Sequence, residues 1–225
     1  MKNFGEELAY WYLRLNGFFL IDNLALHRAS LVQPDLNNVR DADADIIGIR
    51  NPFTVEEIGM ANAEDICPKL CEFSDDRILT KTVVVISEVK SGDSEPGEIL
   101  LNREARLRYV VKRTGLFEED RIAEVTSHLL TNKSYQNEPD TITILKIIFS
   151  QTDLGPENFH YLSLSYIEQN IRGKFSKYIT NKNPAKLFFP STLMQYLIWK
   201  VKEENSSKKQ EDVREKVAIK HEETN

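Results

Sequence analysis

The chain has only two cysteines in 225 residues, Cys67 and Cys71. Two thiols exclude a disulfide framework and any four-thiolate metal site. The four histidines, His27, His128, His160 and His221, are all distant from that pair in sequence, so Cys67-Pro-Lys-Leu-Cys71 is not read as a zinc site. Long apolar runs are also missing. The longest, Val83 to Ile86 and Ile144 to Phe149, fall far short of the ~20 residues that span a bilayer, and Lys146 interrupts the second. The N-terminus, Met-Lys-Asn-Phe-Gly-Glu-Glu, turns acidic too early for a signal peptide. A cytoplasmic protein with no membrane partner is expected. Positive charge is not in excess. The 29 Lys and Arg are outnumbered by 35 Asp and Glu, for a net charge of -6. That excludes a uniformly basic coat for nucleic acid and leaves room for a local basic patch. There is no internal repeat, no Gly-rich phosphate loop after Lys90, and no nucleophile elbow around Ser163 or Ser165.

A hydrophobic fraction of 41% is enough to build a core without metals or disulfides, and it excludes global disorder. Leu8, Trp11, Tyr12 and Leu15 share one face, which predicts a helix over 4–15 with Gly17 as its stop. Phe18 to Ile21 and Ile46 to Ile49 read as short strands. Lys81 to Lys90 and Thr141 to Ser150 are β-branched and nearly continuously apolar, the pattern of central strands. Helices are expected over 102–113, 119–130, 159–178 and 191–201. A less regular insertion separates Asn51 from Lys81, with Pro68 interrupting it. The element order predicts an α/β fold, a central mixed β-sheet flanked by helices, with additional C-terminal helices. One domain is expected over 1–202, with a core of about 1–150 and a helical extension over 157–202. Residues 203–225 balance Lys and Arg against Asp and Glu with few apolar positions, which predicts a charged tail, disordered or a frayed helix.

The informative feature is acidic residues on two successive strands. Asp45 opens the strand Ile46-Ile47-Gly48-Ile49, and Glu88-Val89-Lys90 closes the next one. Residues two apart on a strand point the same way, so Glu88 and Lys90 share a face and Val89 turns to the core. If the strands pair, Asp45 lies beside Glu88. Two adjacent carboxylates make a hard oxygen site suited to Mg²⁺ or Mn²⁺. A nearby backbone carbonyl, of Val89 or of Ile86, can add a ligand, and Asp43, two residues from Asp45, is the reserve acid. Lys90 then turns a cation site towards phosphodiester hydrolysis, because an ammonium there can stabilise hydroxide or the charge building on phosphorus. The plainer reading of Glu88 and Lys90 is a solvated pair at a strand end. Joint order with Asp45 is what favours catalysis.

On these residues the chain resembles the PD-(D/E)xK nucleases, the restriction-endonuclease-like superfamily, and within it the Holliday-junction resolvase and small uncharacterised nuclease branch. Members of that branch open with a helix carrying Gly-Glu-x-x-Ala and then a turn at Gly. Here that is Gly5-Glu6-Glu7-Leu8-Ala9, followed by Tyr12, Leu13 and Gly17, with Asn23 where an asparagine is common. Asp45 matches the metal-binding aspartate, and Glu88-Val89-Lys90 matches the Glu-x-Lys signature. The resemblance covers about the first 115 residues. It departs at Ala44, where a proline is usual, and in the long 51–81 insertion. It implies a restriction-endonuclease-like fold, a magnesium-dependent deoxyribonuclease yielding 5′-phosphate and 3′-hydroxyl ends, and Glu6 as a further acid at or near the metal. An early helical glutamate also serves the helix dipole, so Glu6 has two readings.

Charge is distributed unevenly. Residues 35–98 hold fifteen Asp or Glu against six Lys or Arg. Residues 101–115 hold five Lys or Arg and one Glu, and residues 170–186 hold five and none. Arg103, Arg106, Lys112 and Arg113 in the first cluster, and Arg172, Lys174 and Lys177 in the second, are the expected phosphate contacts for DNA. Ordinary solvated helix surface is the plainer account of each. A homodimer, common among such nucleases, is the other partner the resemblance implies. Two rival functions remain: a non-catalytic nucleic-acid-binding protein on the same fold, and a metal-dependent hydrolase of a small phosphoester.

Overall fold

A computed structural model describes residues 3–25, 43–54, 66–92, 99–152, 155–179 and 191–222. It opens with helix α1, Phe4–Arg14. Asn3 caps it: its side chain accepts from the Glu6 N–H, and the Glu6 side chain returns to the Asn3 backbone. Leu8, Ala9, Tyr12 and Leu13 are buried on one side of it. Gly17, at φ +84°, ends the turn in the left-handed region, as its position predicts.

Strands β1, Phe19–Ala25, β2, Asp43–Arg50, and β3, Thr82–Lys90, form an antiparallel meander. The 3₁₀ turn Arg77–Leu79 and helix α2, Pro68–Phe73, precede β3. Pro68 sits at the start of α2 rather than breaking the segment, since a first-turn proline costs no hydrogen bond. The rest of the expected insertion, 55–65, lies outside the described residues. After β3 come the 3₁₀ turn Leu100–Asn102, α3, Glu104–Arg113, and α4, Glu119–Thr131. Strands β4, Ser134–Gln136, β5, Ile142–Ser150, and β6, His160–Ser163, complete the sheet.

The sheet is mixed and has six strands in the order β1-β2-β3-β5-β4, with β6 also on β5. β3 lies in the middle, antiparallel to β2 and parallel to β5. On one face Ile47, Val84, Ile86, Ile144 and Ile148 pack with Leu107, Val110 and Val111 of α3 and Ile122, Val125 and Leu129 of α4. On the other face α1 meets the sheet, with the Tyr12 and Phe149 rings edge to face at 6.0 Å. The α/β class with flanking helices is therefore the observed architecture.

Helices α5, Leu164–Ile179, and α6, Thr192–Glu222, follow. The helix expected over 159–178 starts later, because residues 160–163 alternate between buried and half-buried and pair with β5 as β6. The chain divides into two compact units, 1–56 with 65–168, and 57–64 with 169–225. The boundary expected at 202/203 falls inside α6, whose backbone continues to Glu222. Between Thr192 and Glu222 the sequence has no proline or glycine and is rich in Lys and Glu, which favour helix, and Met194, Leu197, Ile198 and Val201 are buried along its first turns.

Candidate active site

The β2–β3 register places the two acids together. Ile46 pairs with Ser87, and one further step along this antiparallel ladder sets Asp45 opposite Glu88. Asp45 Oδ2 accepts the Val89 N–H at 2.6 Å, so the aspartate is tied to the backbone between Glu88 and Lys90. Glu88 is buried at 2% exposure. Its Oε1 accepts the Leu101 N–H at 2.5 Å, from the 3₁₀ turn ahead of α3. Its Oε2 stands 2.8 Å from Lys90 Nζ as an ion pair. That oxygen is nevertheless buried without a hydrogen bond of acceptable angle. The expectation that Glu88 and Lys90 share a face is met, and Val89 turns inward to α1.

Burial pushes the Asp45 carboxyl up to about 6, and the neighbouring charges of Glu6 and Glu88 add to the rise. The Val89 N–H and the Lys90 ammonium act against it without cancelling it. An aspartate raised above its ordinary 3.8 stabilises the fold while protonated, and that contribution is lost as pH rises through about 6. Asp45→Asn is therefore expected to raise stability at pH ~7 by about 2–3 kcal/mol and to do little below pH ~4, in chelator, read by urea unfolding at both pH values.

Glu6 reaches this neighbourhood because Gly5 lets α1 approach the end of β3. A Cβ on Gly5 would lie 3.0 Å from Ser91 Cβ and 3.1 Å from Val89 Cγ1. The Glu6 carboxylate accepts from Asn3 Nδ2 at 2.6 Å and from the Asn3 N–H at 3.3 Å. Its capping role is thus built, and its charge is also felt by Asp45. The Asp43 side chain lies outside what the structure describes. Val89 is seen through its N–H, and its carbonyl as a ligand stays an expectation.

Among the described residues no three His, Cys, Asp or Glu side chains gather as a metal-holding group. The available donor set is two carboxylates with backbone and water. It fits a hard divalent ion that keeps several waters better than a closed protein cage. Two features agree with that fit: a buried carboxylate oxygen that accepts no hydrogen bond, and an aspartate whose ionised form is only partly compensated by the Val89 N–H and Lys90.

Of the basic residues, Arg103 occupies the N-cap position of α3 without a side-chain cap bond, two residues beyond the Leu101 whose N–H holds Glu88, and Arg106 follows in the first turn. Lys112, at the other end of α3, is bound to Glu119 at 2.6 Å. Arg113 is exposed near it. In the second unit Arg172 is paired with Glu204, Lys174 is only 8% exposed, and Lys177 is exposed. Lys112, Arg172 and Lys174 thus offer less to a phosphate than their place in a basic run suggested. Cys67 is buried with its Sγ 3.2 Å from the Tyr166 hydroxyl.

Sequence reasoning did not find the Leu101 N–H, since a backbone donor leaves no residue signal. It also passed over Lys146, although a lysine inside an apolar strand is visible. Lys146 is fully buried among apolar side chains, its Nζ 4.2 Å from the centre of the Phe159 ring and without a hydrogen bond. Burial pulls its pKa from 10.5 down to about 8. A lysine lowered in the fold withholds stability below that value and returns it as pH rises towards 10.5. Lys146→Met is expected to raise stability at pH ~7 by about 1–3 kcal/mol, with the gain shrinking above pH ~8, measured by denaturant midpoints across that range.

Comparison with known proteins yields no matching family model, curated protein or solved structure. Among the described residues no helix is long and apolar enough to cross a membrane.

Proposed function

We propose that this chain is a metal-dependent DNA endonuclease of the PD-(D/E)xK type, hydrolysing phosphodiester bonds at Asp45, Glu88 and Lys90. One observation carries the reading. Two paired strands hold an aspartate and a buried glutamate side by side, with a lysine 2.8 Å from the glutamate. Asp45 and Glu88 would hold Mg²⁺ or Mn²⁺, with the Val89 carbonyl and Glu6 as further candidates. Bound there, such an ion supplies polarisation of a phosphoryl oxygen and acidification of a water.

The chain's own groups do the rest. The Val89 and Leu101 N–H groups each hold one oxygen of Asp45 and Glu88, so both carboxylates meet a ligand already oriented. Lys90 places a cation beside the same oxygens. There it can donate to the attacking water and to the negative charge that grows on phosphorus. Addition of water across the P–O3′ bond leaves a 5′-phosphate and a 3′-hydroxyl. Arg103 and Arg106, at the start of α3 just after Leu101, are the basic residues we assign to the phosphate backbone.

The discriminating experiment compares plasmid DNA with a small chromogenic phosphodiester, in Mg²⁺ and in Mn²⁺, for the wild type and Lys90→Met. DNA cut at least about 10²-fold faster by the wild type supports the reading. Turnover of the small ester alone identifies a small-phosphoester hydrolase. DNA binding without turnover identifies the non-catalytic protein.

A further inference from the structure

The two-residue spacing that puts Glu88 and Lys90 on one face also sets the ammonium against the carboxylate. Glu88 Oε1 is committed to the Leu101 N–H at 2.5 Å. Oε2 is the oxygen left for a cation, and Lys90 Nζ stands 2.8 Å from it. The contact is one of charge, since that buried oxygen accepts no aligned hydrogen bond. A divalent ion needs no donor angle, and it brings twice the charge. An ion and an ammonium on the same oxygen repel each other strongly in so buried a place.

How each partner is held decides which one yields. Glu88 is 2% exposed, lies in the central strand β3 and is clamped by Leu101. Lys90 is the last residue of β3, and its side chain is 25% exposed on a flexible four-carbon stem. The lysine can turn its ammonium towards water, and the glutamate cannot follow it. Charge balance acts in the same direction. Glu6 and Glu88 are both felt at Asp45, so three carboxylates serve this end of β3, and Lys90 opposes them there with a single positive charge.

We propose that Lys90 and a divalent ion compete for Glu88 Oε2, so that the ion, in binding, moves Lys90 off the glutamate and towards water and phosphate. The inference rests on the reading of Asp45 and Glu88 as metal ligands. It gives Lys90 a second role, in which the ammonium that assists hydrolysis also weakens the hold on the metal. The antagonism is reciprocal: the factor by which Lys90 weakens metal binding is the factor by which the metal weakens the Lys90–Glu88 pair.

The test is Mn²⁺ titration of the full chain without DNA, followed by calorimetry and by the electron-spin signal of the free ion, for the wild type, Lys90→Met and Glu88→Gln. Lys90→Met is expected to bind Mn²⁺ at least about tenfold more tightly than the wild type, and Glu88→Gln to lose binding. Urea unfolding gives a second readout. In chelator Lys90→Met should be the less stable protein, because Glu88 keeps its buried charge and loses its counter-ion. Saturating Mn²⁺ should then stabilise the variant by at least about 1.4 kcal/mol more than it stabilises the wild type, the free energy of that tenfold. A lysine that only supports the fold produces the loss in chelator without the extra stabilisation by Mn²⁺. Lys90→Gln, with a polar end and no charge, serves the same comparison if Lys90→Met does not fold. Equal or weaker Mn²⁺ binding by the Lys90 variants, with binding lost in Glu88→Gln, overturns the competition and leaves the metal reading standing. No binding by the wild type and the Lys90 variants alike, or binding that Glu88→Gln leaves unchanged, overturns both.

Discussion

Glu88→Gln is expected to reduce metal-dependent DNA cleavage by at least about 10²-fold while leaving the fold intact. The amide keeps an oxygen for the Leu101 N–H, which holds Oε1 at 2.5 Å. It replaces the other oxygen with an NH₂ group that faces the Lys90 ammonium, now 2.8 Å from Oε2. Donor then meets donor, the negative charge is gone, and a divalent ion loses one of its two carboxylates. Asp45 loses an anionic neighbour that helps to raise its pKa, so its proton comes off at lower pH. The measurement is the initial rate on plasmid DNA in Mg²⁺, beside circular dichroism on the same sample. Glu88→Asp retains the charge but retracts it by one methylene from the Leu101 N–H, and an intermediate loss is expected.

The second large effect is on stability. Arg50, 3% exposed, ends β2 with its guanidinium inside a knot of carbonyls. Nε donates to Asn16 at 3.1 Å, Nη1 to Ile78 and to Asn51 at 3.5 Å, and Nη2 to Thr54 at 2.6 Å. These carbonyls come from the end of α1, the turn after β2 and the turn before β3. Arg50→Met keeps the aliphatic stem and takes the guanidinium donors from the Asn16, Ile78 and Thr54 carbonyls, while Asn51 still accepts from the Thr54 hydroxyl at 2.8 Å. A buried unpaired acceptor costs roughly 1–3 kcal/mol, so a loss of about 3–5 kcal/mol is expected in urea unfolding. Arg50→Lys supplies a point charge without the planar fork and should recover only part of it.

Much of the sheet was legible because its strands carry their burial in their composition. The run Thr82 to Lys90 is β-branched and apolar because it is covered on both faces, with neighbours β2 and β5. Residues 134–136 have no such signal, since three residues at an edge carry too little pattern. His160 to Ser163 was read as helix because its apolar residues run into those of α5, and only the ladder with β5 distinguishes it. At the site, Asp45, Glu88 and Lys90 could be named because strand periodicity and order imply their meeting. The hydrogen bonds that orient them come from backbone amides of Val89 and Leu101, which any residue could supply. Glu6 was ambiguous in sequence and remains dual in structure, because the Gly5 contact that brings α1 to β3 also places its carboxylate in the Asn3 cap. The basic runs were the least informative. Sequence shows where positive charge lies but not that Glu119 holds Lys112, nor that Lys174 is buried.

The central claim is that the Asp45–Glu88 pair holds a divalent ion that cuts DNA. Its most direct test is the cleavage of supercoiled plasmid by the purified full chain in Mg²⁺, in chelator, and in Mg²⁺ with Asp45→Asn. The account predicts cleavage by the wild type in Mg²⁺, none in chelator, and none by Asp45→Asn, although that variant is the more stable protein at pH ~7. Cleavage that survives in chelator, or that Asp45→Asn performs as fast as the wild type, would contradict it.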